Sequence, residues 1–365
     1  MIKSKQITGF IGAGGIARSH AFALNSMPFY YNDPPEIERE AVCSATSESR
    51  DAFAKRFGFR QSLTPDEFFR NKSIDTVFIL GPNKAHYEHL TKAVSMPSVK
   101  RVYLEKPVCS TLEEEVSLRQ FAEEHKEVKI QIGFQYLFSS AVREALIFWK
   151  SGKIGNPVHF EIKYYHGDYL QKDYRDRRKT RLTPAPDGGA MADLGSHVIS
   201  ILLAFIGTRI KIVSALQAGN FIDVPCDSDL FSLLALYDPV SKAAGTLSAS
   251  RISSGTGDLI SFEIYAEKGS LKYTTSSPDQ FEYFSEETGL WHKQFTGSNF
   301  KPVTSFPSGH VPSGWLRSMV HAHYVFFTGN DDKCFIPDLE HGLVVQRVLR
   351  ECSEQLQHFR NLFVL

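Results

Sequence analysis

In the first third of the chain, short apolar runs alternate with stretches of helical spacing. QITGFI (6–11) is followed, from Gly15 onward, by a pattern that puts Ile16, Ala17 and Ala21 on one packing face. The scheme then repeats: AVC (41–43) precedes the helical SESRDAFAKRFG, the continuous apolar run of SIDTVFILGP precedes NKAHYEHLTKAVS, VKRVYLEKP precedes STLEEEVSLRQFAEEH, and VKIQIGF follows. Strands and helices alternating at this interval predict a doubly wound parallel sheet with helices on both faces. In STLEEEVSLRQFAEEH, Ser110 with Glu113 is the expected capping box, and Leu112, Val116 and Phe121 the expected packing face.

The pattern changes after residue 134. NPVHFEIKYYHGDY, IKIVSALQAGNF, SDLFSLLALYDP, KAAGTLSASRIS, LISFEIYAEKGSLKY and QFEYFSEETGLWHKQF are strand-like runs separated by Gly, Asp, Ser and Pro turns. Runs of strands after a βα half predict a separate α+β domain with a large, open, mostly antiparallel sheet. The expected domains are therefore 1–134, a Rossmann-type dinucleotide-binding domain, and 135–365, for substrate binding and oligomerisation. An open sheet with apolar residues on both faces, as in SDLFSLLALY, predicts a homodimer or homotetramer.

Composition narrows the functions. The 41 Lys and Arg residues balance 41 Asp and Glu, so nothing draws the chain to nucleic acid or to an anionic membrane surface. Its five cysteines lack CxxC spacing, which speaks against a disulfide framework or a zinc cluster and for a reducing cytoplasm. There is no signal-peptide core, and no apolar run approaches the ~20 residues that span a bilayer. His321 and His323 lack a third ligand at a recognisable spacing, so no metal is expected.

The turn GFIGAGGIARSH has the GxGxx(G/A) form. Gly12 permits the tight turn, Gly14 lets backbone approach a pyrophosphate, Ala17 lets the helix pack closely, and the N–H groups from Gly15 and Ile16 onward face the phosphate. At the end of the second strand a carboxylate would select NAD. Here Ser44 and Thr46 offer hydroxyls and Arg50 a cation, which leans toward NADP over NAD. Lys106 follows the strand RVYL, one residue after Glu105, where ligands of open α/β sheets bind, and Pro107 restricts it to an extended conformation. It could equally pair with Glu105 at the strand end. Asp193 and His197, four residues apart, share one face of a helix, and histidine, with a pKa of ~6.5, suits reversible proton transfer.

Four stretches make the chain resemble the glucose-fructose oxidoreductase, inositol dehydrogenase and rhizopine-catabolism family of NAD(P)-dependent oxidoreductases. They are GFIGAGGIARSH, IDTVFILGPNKAH with its P-N-x-x-H turn, LEKPVCSTLEEE with its E-K-P motif, and DGGAMADLGSH with its G-G-x-x-x-D-x-G-x-H signature. The resemblance implies hydride transfer between NAD or NADP and a secondary hydroxyl of a sugar, sugar derivative or cyclitol. Lys106, Asp193 and His197 would be the catalytic residues. It adds Gly81, Pro82, Asn83, His86 and Glu105 to the cofactor site, and Tyr165, His166 and Asp168 to the substrate site. The chain departs from the family at GFQYLFSS, where Gln135 and Leu137 replace the frequent Asn and Arg. The basic run from Lys172 to Arg181 fits an anionic substrate, a partner subunit or a solvated loop. Two other functions remain open on this fold: a glycoside hydrolase using tightly held NAD, and a sugar- or nucleotide-sensing regulator without turnover.

Overall fold

The computed structural model describes residues 5–182, 188–219, 221–224, 228–297, 314–331 and 333–363. Two compact units make up the chain: residues 1–138 with 298–343, and residues 139–297 with 344–365. The division expected at residue 134 is a single cut in sequence, whereas each unit takes two segments of chain.

The first unit holds β1 (Gln6–Ile11), α1 (Gly15–Tyr30), β2 (Ile37–Cys43), α2 (Ser47–Phe57), β3 (Gln61–Leu63), α3 (Pro65–Phe69), β4 (Thr76–Ile79), α4 (His86–Val94), β5 (Arg101–Leu104), α5 (Leu112–Glu124) and β6 (Lys129–Ile132). Its sheet is parallel throughout, in the order β3-β2-β1-β4-β5-β6, the doubly wound arrangement expected. All four residues of β4 are buried, as a central strand covered on both faces requires. The ring of Phe10 on β1 packs at a tilt against Phe78 on β4, centroids 5.0 Å apart, at the centre of the core.

Helix α5 is capped one residue later than expected. Thr111 accepts from Glu114 N–H while Glu114 reaches back to the Thr111 N–H, so the box is Thr111/Glu114 and not Ser110/Glu113. With the register shifted, Leu112 and Val116 are exposed and Leu118 and Glu115 point inward.

The second unit contains α6 (Ser140–Lys150), β7 (Pro157–Tyr165), α7 (Lys172–Arg177), α8 (Ser196–Ile206), β8 (Lys211–Ala218), β9 (Phe231–Tyr237), β10 (Ala244–Ser250), β11 (Leu259–Ala266), β12 (Gly269–Thr274), β13 (Gln280–Ser285) and β14 (Leu290–Phe295). These strands form one sheet in the order β14-β13-β12-β11-β7-β10-β9-β8, antiparallel except for the β7–β10 pair. One face is core: Phe160, Ile162, Leu234, Leu236, Ile260 and Phe262 are all buried. Helix α8, apolar nearly all round, packs on it through Phe205, whose ring lies 5.1 Å from Phe262. The other face carries half-buried Phe231, Leu233 and Tyr237, with Leu216 exposed opposite Leu233.

Helices α9 (Gly314–Thr328) and α10 (Leu339–Phe363) complete the chain. Helix α9 belongs to the first unit and returns to pack on α1, where Tyr324 stacks on Tyr31 at 3.8 Å. The sequence reading did not anticipate it, nor α6, β3 and α3, nor that the start of the basic run forms helix α7 and not a loop. Among the described residues, no helix is long and apolar enough to cross a membrane.

Candidate active site

The glycine turn is built as its motif requires. Gly12 has φ +119°, and a Cβ there would lie 2.7 Å from the Leu80 carbonyl oxygen, so both conformation and space demand glycine. At Gly14 and Gly15 nothing lies within 4 Å of an added Cβ, leaving the approach to the N-terminus of α1 open. Ala17 is fully buried between helix and sheet, and Ile16 is half-buried. Gly14 caps α1 without a side-chain bond, and its first turn holds no acid, so the N–H groups face outward with an unopposed dipole. Such a cradle fits a dinucleotide pyrophosphate.

At the end of β2, Ser44 donates to the Thr46 carbonyl at 3.2 Å, and the Arg50 guanidinium folds back to the Ser44 carbonyl at 3.4 Å. The three residues therefore meet, and Glu48 is exposed on the first turn of α2.

After β4 the chain turns at Gly81 and exposed Pro82. Asn83 and His86 brace the loop that follows Lys106. In the amide orientation that satisfies its neighbours, Asn83 donates to the carbonyls of Pro107 (3.1 Å) and Cys109 (3.2 Å) and accepts from Ser110 (3.3 Å). Fully buried His86 has Nδ1 2.6 Å from the Pro107 carbonyl and Nε2 3.0 Å from the Gly81 carbonyl, and desolvation lowers its pKa from the usual histidine range. Lys106 is half-buried at a cis Lys106–Pro107 bond, and Glu105 turns inward to His20 Nε2 at 2.9 Å.

Asp193 and His197 lie in the second unit. The helix carrying them opens with a π-helical turn, Met191–Gly195, so Asp193 sits in that turn and His197 in the regular helix α8 after it. The expected four-residue face of a uniform α-helix is thus widened at this point. His197 is buried, with the Tyr164 ring 6.0 Å away. Asp193 Oδ2 accepts from Arg251 Nη2 at 2.9 Å and lies 3.7 Å from Arg181 Nη1.

Strand alternation separates the residues of KYYHGDY. Tyr164 is on the core face toward His197, while Tyr165 is on the opposite face, bonded to Ser248 at 2.7 Å. Buried His166 accepts the Asp168 N–H at Nδ1, 3.2 Å, and desolvation holds its pKa below the usual histidine range. The Asp168 side chain is exposed.

Two buried residues of this region escaped the sequence reading. Arg251 closes β10, donates to the Arg181 carbonyl at 2.6 Å as well as to Asp193, and stacks over Tyr169 at 4.6 Å. Asp229 accepts from Met191 N–H (2.8 Å) and Ser232 (2.6 Å), anchoring the start of the π turn. Gly189, at φ +83°, would put a Cβ 2.6 Å from the Asp229 Cβ, which explains the glycine. The available signal was Arg251 itself, a charge ending a strand of small residues.

Much of the basic run is internally spent. Arg175 is buried in a two-pronged pair with Asp223 at 2.9 and 3.0 Å, and Lys172 pairs with Asp176.

His321 does gain potential co-ligands: Asp331 and Cys334 bring ligand atoms within 4.8 Å of it and of each other. The contacts around it form a hydrogen-bond chain from cation to carboxylate. Arg317 donates to the Tyr31 hydroxyl (3.0 Å), Tyr31 lies 2.8 Å from His321 Nδ1, and His321 Nε2 lies 3.3 Å from Asp331. Burial raises the Tyr31 pKa to about 12, which keeps its proton in place as a donor.

Comparison with known proteins agrees with this architecture. Glucose-6-phosphate 3-dehydrogenase of Bacillus subtilis is 25% identical over 282 residues, covering 75% of this chain and 76% of its own. Levoglucosan dehydrogenase of Pseudarthrobacter phenanthrenivorans is 26% identical over 300 residues, 75% of each chain. A solved levoglucosan dehydrogenase in complex with NADH and levoglucosan superposes with a TM-score of 0.83 at 21% identity, over 96% of this chain and 97% of that one. Residues 7–134 match the GFO_IDH_MocA model, an oxidoreductase family with an NAD-binding Rossmann fold, and residues 142–272 match the GFO/IDH/MocA C-terminal domain. With both models matched in order, and a parallel Rossmann sheet followed by a mostly antiparallel one, the chain belongs to the GFO/IDH/MocA family of oxidoreductases.

Proposed function

We propose that the chain is a dehydrogenase that oxidises a secondary hydroxyl of a sugar, sugar derivative or cyclitol to the ketone, and runs in reverse with reduced cofactor. One observation carries this reading: two sugar dehydrogenases match three quarters of the chain, which retains both the E-K-P and the D-x-G-x-H residues. The bound nicotinamide supplies the hydride acceptor; Gly12, Gly14 and the free N-terminus of α1 would hold its pyrophosphate.

In this reading His197 takes the hydroxyl proton as the carbon–hydrogen bond breaks. Burial beside Tyr164 gives it a fixed, low-dielectric setting. Lys106 stabilises the oxygen as it gains alkoxide character. Asp193, anchored by Arg251, orients substrate or histidine. The hydroxyls of Ser44 and Thr46 and the cation of Arg50 suit the 2′-phosphate of NADP as well as the hydroxyl of NAD. The half-buried face with Phe231, Leu233 and Tyr237 is the surface for self-association, and the free cysteines Cys43, Cys109 and Cys352 suit a reducing cytoplasm.

The test is a screen of sugars, sugar phosphates and cyclitols with both cofactors, followed at the absorbance of reduced nicotinamide. Net reduction with a secondary alcohol supports the reading. Glycoside cleavage without net reduction, or binding without turnover, transfers the protein to one of the two other functions. Light scattering that reports a monomer removes the self-association surface.

A further inference from the structure

Beneath the strand end that carries Lys106 lies a chain of three buried polar side chains, all within the first unit. His323 Nε2 on α9 is 2.8 Å from His20 Nδ1 on α1, and His20 Nε2 is 2.9 Å from Glu105 Oε1. Both histidines are fully buried and Glu105 is 7% exposed. Phe78 and Tyr103 wall the pair, with the Tyr103 ring 5.1 Å from His20 and 5.0 Å from His323. Against the carboxylate also lies Gly133, where a Cβ would be 2.7 Å from Glu105 Oε1. The seat of the carboxylate therefore depends on a glycine as well as on the histidine.

The geometry fixes the protons. Nδ1 of His323 is buried without a hydrogen-bond partner, so a proton there would be an orphaned donor, whereas a lone pair there costs less. His323 then carries its proton on Nε2 and donates to His20 Nδ1. His20 in turn carries its proton on Nε2 and donates to the Glu105 carboxylate. Desolvation and the neighbouring His20 keep His323 neutral, consistent with this order. The chain runs one way and ends on a carboxylate whose neighbour in sequence is Lys106.

A buried ionic group in an otherwise aromatic pocket adds little stability compared with apolar packing, so its presence calls for a positional role. The three side chains tie together α1, whose N-terminus forms the glycine turn, the end of β5, and α9. We propose that His20 and His323 are positioning residues that hold the Glu105 carboxylate in its seat and thereby aim Lys106. This rests on the reading of Lys106 as the cation of the dehydrogenase site.

Three variants and one spectroscopic signature test it. His323→Leu removes the donor to His20, and His323→Gln restores a donor of similar reach. Gly133→Ala leaves every charge in place but crowds the carboxylate. His323→Leu and Gly133→Ala are expected to lower kcat about tenfold or more, since an ångström of misplacement can cost ~10²-fold. KM for the sugar and the affinity for NADH, titrated by fluorescence, should stay near wild type, and His323→Gln should recover most of the loss. Ring-nitrogen NMR of the wild type should show His323 neutral, with its proton on Nε2, across about pH 6 to 9. Active wild type with unaffected variants overturns the proposal alone, as does a proton on His323 Nδ1. A loss that His323→Gln does not recover reassigns His323 to packing and also overturns it. Wild type that turns over no sugar or cyclitol instead overturns the underlying reading of Lys106, and the proposal with it.

Discussion

Arg251→Leu is the substitution whose cost can be worked most directly from the structure. The guanidinium is 1% exposed and donates to Asp193 at 2.9 Å and to the Arg181 carbonyl at 2.6 Å. Removing one partner of a buried ion pair costs ~3–5 kcal/mol when the other charge is left stranded. Asp193 is 29% exposed and keeps Arg181 at 3.7 Å, so water and that second cation recover part of the loss. The expected cost is about 2–3 kcal/mol, a fall in Tm of roughly 5–10 °C. Asp193→Asn removes the stranded charge at nearly constant volume, so the double variant should be more stable than the sum of the two single losses. A coupling of about 1–2 kcal/mol is expected from a double-mutant cycle in urea, read at the transition that Arg251→Leu moves. Additivity within ~0.5 kcal/mol would show that the two side chains do not support each other and would refute the reasoning. Arg251→Lys provides a second control. It keeps the charge but lacks the fork that reaches both Asp193 and the Arg181 carbonyl, so it should recover only part of the stability.

Other expectations follow from single residues. Gly12→Val places a side chain against the Leu80 carbonyl at a positive φ, and calorimetry should find cofactor binding lost while the second unit keeps its fold; retained affinity sinks the assignment of the turn. Arg50→Ala should weaken NADP(H) more than NAD(H) by about tenfold, the worth of one charge-assisted bond, and equal losses for both cofactors would remove Arg50 from the phosphate. Desolvation holds His341 at about 4, below its usual 6.5, so the folded chain stays neutral there while the unfolded chain takes up a proton. Its contribution is complete above about pH 6.5 and is lost as pH falls toward 4, by about 3 kcal/mol in full, so His341→Leu should flatten the acid limb of a stability profile.

Local pattern revealed much of the fold. The central strands β1 and β4 stood out as apolar runs, because a strand buried on both faces has little room for polar residues, whereas only the buried AVC end of β2 was legible and its Glu38-Arg39-Glu40 half, half-buried or buried in the strand, looked like loop. Three-residue β3 and five-residue α3 are too short for any period to emerge. Helix α9 was hidden for the opposite reason: eleven of its fifteen residues are buried, among them Arg317, Ser318, His321 and His323, so polar residues fall on faces that periodicity would assign to solvent. The site was legible where one residue type is sterically forced, as at Gly12, and illegible where a pairing spans the sequence. His20 and His323 are 303 positions apart, and Asp193 and Arg251 are 58 apart. No local spacing connects such residues.

Arg251 and the Glu105-Lys106 pair nevertheless gave the same local sign, charge at the end of a strand, and the structure shows why that sign needs a partner before it can be interpreted. At β10 the charge turns inward: Arg251 is buried and committed to Asp193 and a carbonyl, so its work is positional. At β5 the pair divides. Glu105 takes the inward role, seated on His20 against Gly133, and Lys106 remains half-buried beside it. A carboxylate that needed only to neutralise a strand-end lysine could do so from the surface, where desolvation costs nothing. Burying Glu105 on His20, which His323 backs in turn, makes sense only if its location, and not merely its charge, matters to the residue next to it.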